Sequence, residues 1–186
     1  MKFLKKQYGN IIFALLILLL LIPQTRMPLQ VFVQRLIASS PKEIAADKRP
    51  LLTDYNWQLQ NLRGDVKNLK EAAGKVVLVN YWATWCPPCI AEMPSLQKLY
   101  TDYKDKIDFY FVGSDSPEIN LAFLSRKGYT LPVYLERSAA PSLLQTTSLP
   151  TTFIISKQGR IVVQKTGAAE WNSDKMRSLI DRLINE

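Results

Sequence analysis

The five residues Trp85-Cys86-Pro87-Pro88-Cys89 constrain this chain more than any others. They hold both of its cysteines and follow the apolar run 76–81. That order predicts a hydrophobic strand, a short turn, and a helix that starts at the first sulfur. A cysteine at a helix N-terminus faces unpaired backbone N–H groups and the positive end of the helix dipole. Both favour the thiolate, which is the nucleophilic form. Pro87 suits the first helical turn, where its missing N–H costs nothing.

Other readings of two close cysteines fit less well. A structural zinc site needs four Cys or His ligands, and the chain has two Cys and no His. A purely structural bridge over two intervening residues closes too short a loop to restrict the unfolded chain much. Two inert, buried thiols sit poorly beside a turn with two prolines. A redox-active pair is the reading that remains strongest. The lack of histidine also removes the commonest general base and most transition-metal sites, so no metal and no cofactor beyond a Cys86–Cys89 disulfide is expected.

Charge is unevenly placed. Residues 1–50 hold eight Lys/Arg against two acids, which leaves sixteen against fourteen over residues 51–186. The net charge of +8 therefore mostly describes the N-terminal segment. The remainder shows no basic stripe for nucleic acid.

Lys2, Lys5 and Lys6 precede an unbroken apolar run, 11–22, that Pro23 ends. As a helix the run measures about 18 Å, short of a hydrocarbon core of about 30 Å. No small-x-small cleavage site follows it closely. With snorkelling lysines and a start near Phe3, residues 1–26 are expected to be an uncleaved signal anchor with the N-terminus in the cytoplasm. Residues 27–50 read as a juxtamembrane linker. Within it, residues 27–38 fit equally a short helix on the membrane surface and an irregular apolar connection. One domain is expected over residues 51–186.

In that domain, segments 57–61 and 66–69 flank Arg63-Gly64-Asp65 and predict a β-hairpin. Segment 70–74 predicts a short helical turn. Strands are expected at 76–81, 107–113 and 131–135, helices at 87–103, 116–127 and 140–145, and a hairpin at 151–156 and 160–166. Residues 172–185 carry Met176, Leu179, Ile180 and Leu183 at helical spacing. The alternation predicts a mixed sheet covered by helices on both faces. Trp57, Tyr81, Trp82, Phe109, Phe111 and Phe153 are expected in the core. Glu92, three residues after Cys89, shares its helix face and is an acid–base candidate, the alternative being a solvated carboxylate. Trp85 fits either an apolar docking surface or a partly buried core position.

The run Val79-Asn80-Tyr81-Trp82-Ala83-Thr84-Trp85-Cys86-Pro87-Pro88-Cys89 resembles the active-site segment of thioredoxin-superfamily proteins of the membrane-tethered TlpA/ResA/CcmG type. Glu92-Met93-Pro94 and Leu149-Pro150-Thr151 carry the resemblance further, which covers about residues 51–186. It implies an α/β thioredoxin-like fold, with a central mixed β-sheet flanked by helices and an extra N-terminal β-hairpin. It supports Cys86 as nucleophile, Cys89 as resolving thiol and Glu92 as acid–base group. Thioredoxins carry a buried aspartate six residues before the first cysteine; Asn80 stands there and cannot titrate. Pro150, from sequence alone a turn proline, becomes a cis-proline whose neighbour Leu149 offers backbone to an extended substrate beside Trp85, Pro87 and Pro88.

The resemblance further implies a thiol–disulfide oxidoreductase on the extracytoplasmic side of the membrane. It would reduce disulfides of exported proteins, with apocytochrome c one such substrate, and draw electrons from a membrane thiol donor of the CcdA/DsbD type. No Cys-x-x-Cys-His motif in the chain ties it to cytochromes. Two rivals are a thiol peroxidase, in which Thr usually stands where Ala83 does, and a non-catalytic interaction module shaped by its disulfide.

Overall fold

A computed structural model describes residues 8–13, 15 and 22–186. Of the expected anchor, 1–26, residues 1–7, 14 and 16–21 lie outside them. Among the described residues no helix is long and apolar enough to cross a membrane. The first named element is helix α1, Pro23–Ile37. The strands are β1 Gln58–Asn61, β2 Val66–Asn68, β3 Val77–Trp82, β4 Asp108–Gly113, β5 Val133–Glu136, β6 Thr151–Ile155 and β7 Ile161–Thr166. Helices α2, Pro87–Tyr103, α3, Pro117–Lys127, and α4, Asp174–Asn185, complete the order.

The strands form one mixed sheet in the order β2-β1-β5-β4-β3-β6-β7. β3, β4 and β5 run parallel, and every other pairing is antiparallel. β3 is Val-Leu-Val-Asn-Tyr-Trp and buried at every position, as a strand packed on both faces must be. The expected N-terminal hairpin is β1–β2, and it joins the sheet through β5. Its turn is locally encoded: the Asn61 side-chain oxygen accepts from the N–H groups of Arg63 and Asp65, and Gly64 takes φ +102°.

Helical segments cover both faces. α2, α3 and α4 bury Ile90, Met93, Leu96, Phe123, Leu179 and Leu183 against one side of β3 and β4. Short 3₁₀ turns at Leu69–Ala72 and Ser142–Leu144, with Trp57 and Leu52, close the other. Each large side chain so buried is worth about 1.5–3 kcal/mol. α3 and α4 start at Ser116 and Ser173, whose hydroxyls cap backbone N–H groups, and α3 stops at the left-handed Gly128. The six aromatics expected in the core are all buried.

Within the segment expected as a linker, 27–50, the helical alternative holds over residues 27–37, and the rest is paired with the fold. Residues 27–37 are helical and pack on α2. Beyond them the chain lies along the outer side of β7. Ile44 N–H donates to Val162 O at 2.8 Å, Ile161 N–H to Pro50 O at 2.9 Å, and Leu52 N–H to Gly159 O at 2.8 Å. Glu43 pairs with Arg49 and Arg182. The physical reason is that β7 is an edge strand with unpaired backbone groups. Pro41 and Pro50 keep the passing chain extended enough to satisfy some of them. Composition shows polarity, not which backbone groups find partners. Gly159 is needed here twice, for its φ of +79° and because a Cβ would stand 3.0 Å from Leu52 O.

Candidate active site

β3 delivers the chain to the site, and the turn after it is anchored from outside: Thr84 N–H donates to Asp115 Oδ2 at 2.7 Å. Cys86 is the N-cap of α2, in extended backbone, with Pro87 at the first helical position. Its Sγ accepts the Cys89 N–H at 3.3 Å. That sulfur faces the N-terminal, positive end of the helix dipole. Cys86 and Cys89 are joined as a disulfide, and both are buried. Trp85 is 60% exposed beside them, which excludes the core alternative for it. Pro87 and Pro88 are half-buried.

One turn further along α2, Glu92 is only 1% exposed, so it is no solvated helix-face carboxylate. Its Oε1 accepts from Asn80 Nδ2 at 2.8 Å. Its Oε2 accepts from the Trp171 indole N–H at 2.9 Å and from the Ala169 backbone N–H at 3.2 Å. Burial outweighs these three donors and the charge of Lys165, and pushes the carboxyl up to about 7. A group that titrates near neutrality is suited to take and return a proton.

Asn80 is not satisfied by backbone alone. Its Nδ2 donates to both Glu92 and the Thr152 hydroxyl at 2.8 Å, while its Oδ1 is buried without a partner. A half-turn of this amide exchanges the two atoms. Oδ1 then accepts from a protonated Glu92 and from the Thr152 hydroxyl, which can donate as readily as accept. One side chain can therefore serve both protonation states of Glu92.

The third part of the site is the Leu149–Pro150 peptide, which is cis. Thr151 pairs with Tyr81 across β6 and β3. This register sets Pro150 opposite Trp82, at the end of β3 from which the cysteine turn departs. The Thr151 hydroxyl donates to Ser148 O at 2.8 Å and fixes the loop.

Comparison with known proteins agrees with this geometry. The Redoxin family profile matches residues 45–181. The chain belongs to the Redoxin family. Its relatives include the thiol-disulfide oxidoreductase ResA of Halalkalibacterium halodurans, 36% identical over 60% of this chain. The match spans 65% of the length of that ResA. Thioredoxin-like protein YneN of Bacillus subtilis is 32% identical over 76% of this chain and 84% of its own. A solved DsbF homologue from Corynebacterium diphtheriae shares the fold, with a TM-score of 0.59 and 23% identity over 79% of this chain and 92% of its own. So does the thioredoxin domain of a Bacteroides vulgatus thiol-disulfide oxidoreductase, at TM-score 0.56 and 20% identity over 73% and 99%.

Within this Redoxin chain, four supporting residues escape a reading of the sequence: Asp115, Thr152, Ala169 and Trp171. Only Trp171 left a trace, an aromatic just before the Ser173 cap of α4. Ala169 contributes through its backbone, which no residue type announces. Ser95 ties the same loop down, since Trp171 N–H donates to its hydroxyl at 3.2 Å. Ser39 joins from the N-terminal segment, bridging Ala169 and accepting from Glu170 N–H at 3.2 Å.

Proposed function

We propose that this chain is a thiol–disulfide oxidoreductase that works in the reductive direction on exported proteins, held at the outer side of the membrane by residues 1–26. The observation that carries the reading is the disulfide at the start of α2, with a buried carboxyl that titrates near 7 one turn behind it. In the reduced protein, Cys86 thiolate attacks one sulfur of a substrate disulfide and displaces the other as thiolate. Cys89 then attacks Cys86 Sγ, which restores the Cys86–Cys89 disulfide and frees the second substrate thiol. Glu92 takes the Cys89 proton as that thiol becomes the attacking thiolate and returns it to solvent. The substrate gains two electrons and two protons. A membrane thiol donor of the CcdA/DsbD type supplies the electrons for the next cycle. Trp85, Pro87, Pro88, Leu149 and cis-Pro150 form the docking edge, where the Leu149 backbone pairs with extended substrate. Apocytochrome c is one exported dithiol protein of the required kind.

Two measurements test this. The reduction potential, measured in thiol–disulfide buffers, should lie near or below roughly −220 mV; a value near roughly −120 mV would reverse the direction of electron flow. Cys89→Ser should accumulate a mixed disulfide with substrate, and Cys86→Ser should not. Equal trapping by both would overturn the division of roles.

A further inference from the structure

α1 is amphipathic in the wrong sense for a helix in water. The side it turns to the domain carries Gln30 and Gln34, which border a groove with Pro87 and Pro88, and Val31, which reaches the core. The opposite side is apolar: Leu36 is 70% exposed and Ile37 also faces out, while Phe32, 59% exposed, and Val33 stand at its borders, where each also lines a groove with the domain. A surface helix in water buries its apolar stripe and exposes its glutamines. Here α1 packs against α2, and the outward stripe has no partner among the described residues.

We propose that this outward stripe of α1 rests in the lipid headgroup region of an anionic membrane and holds the Cys86–Cys89 end of the domain against the bilayer surface. Three facts favour lipid as the occupant. α1 begins at Pro23, directly after the apolar run 11–22. Exposed Arg26 and Arg35 stand on α1 itself, placed to reach phosphates while the stripe enters the acyl boundary. Residues 1–42 carry six Lys/Arg and no Asp or Glu, so nothing in the segment repels an anionic surface. The other side of the same helix borders a groove with Pro87 and Pro88. The disulfide is then held about one helix diameter, roughly 10 Å, from the headgroups. A membrane-embedded thiol donor would meet it there. The inference rests on the proposed anchoring, and its test separates the two.

The full chain is reconstituted in vesicles of phosphatidylcholine and phosphatidylglycerol, with a photoreactive benzoyl-phenylalanine at position 32, 36 or 30. Positions 32 and 36 should give lipid adducts by mass spectrometry, at least tenfold more than position 30. Position 30 should instead crosslink within the chain to the start of α2. If the chain floats with the vesicles but positions 32 and 36 yield no lipid adduct, the proposal fails while the anchor stands. Covalent dimers from those positions would assign the stripe to a second copy and also overturn it. A chain that does not float at all would overturn both the anchor and the proposal. The double variant Phe32→Asp with Leu36→Asp should detach α1 from lipid without loss of flotation, seen as a tenfold gain in protease cleavage within residues 23–37. Unchanged cleavage would count against lipid contact.

Discussion

Replacing Trp171 with Phe removes one donor from Glu92 and keeps an aromatic ring in its place. Trp171 is fully buried, and its indole N–H meets Glu92 Oε2 at 2.9 Å. A hydrogen bond to a charged group contributes about 1.5–3 kcal/mol, and about 1.4 kcal/mol corresponds to one pKa unit. Loss of the indole donor should therefore raise the Glu92 carboxyl by about 1–2 units, from its present value of about 7. The direction follows from what the donor stabilises, since it supports the ionised form more strongly than the neutral one. The oxidised protein is the right sample, because the disulfide removes both thiols from the titration. Isotope-edited NMR of the glutamate carboxyl carbons follows Glu92 directly. In the reduced protein, the pH profile of disulfide reduction should shift upward by a similar amount. An unchanged or lowered Glu92 pKa in a folded Trp171→Phe protein would refute the donor cage as the group that holds the carboxyl near neutrality.

Four further outcomes are expected. Glu92 has a folded pKa of about 7 against an ordinary 4.5, so the native state binds its proton more tightly. The associated stability is complete below about pH 4.5 and is lost as pH rises through about 7, in total about 3 kcal/mol; denaturation of the oxidised Glu92→Gln protein should show an advantage over the native chain that grows across that window, and parallel curves would refute it. Asn80→Asp sets a second carboxyl against Glu92, and one titration of the pair should move up by about 2 units or more, read by the same NMR experiment; two separate, unshifted carboxyls would contradict the contact. Trp85→Ala should change stability by less than about 0.5 kcal/mol while it slows reduction of protein disulfides, so a large stability loss would place Trp85 in the core after all. A chain that starts at Ile44 lacks the Ser39 carbonyl, and its Glu170 amide should exchange about fivefold faster for one lost hydrogen bond of about 1 kcal/mol; equal exchange would show that the Ser39 contact carries no weight.

What was legible in the sequence was what neighbouring residues decide together. The start of α2 follows from Cys86, Pro87 and Pro88 in a row after an apolar strand, the β1–β2 turn from Arg63-Gly64-Asp65, and the start of α3 from Ser116 before Pro117. Glu92 was found by its spacing from Cys89, but its burial was not. Burial depends on the loop before α4 folding back across α2, and nothing near Glu92 in the chain encodes that. Asn80 was read as a residue that cannot titrate, which is true and incomplete. Its part depends on Thr152, which is 72 residues away and brought alongside only by the β3–β6 register.

The same long-range closure explains why residues 39–50 read as a linker and behave as part of the fold. A polar stretch between two prolines has no apolar stripe to reveal a partner. Its contribution is backbone pairing along β7 and one contact, from Ser39, to the loop whose Ala169 and Trp171 hold Glu92. That contact gives the N-terminal segment two routes to the redox centre. One runs through α1 to Pro87 and Pro88, where it bears on how the disulfide is presented. The other runs through Ser39 to the donors of Glu92, where it bears on the proton. A shortened chain that keeps the cysteine turn but lacks residues 23–44 retains both sulfurs and loses both supports. Its potential and its pH profile should therefore differ from those of the full chain, and equal values would show that neither support reaches the redox centre.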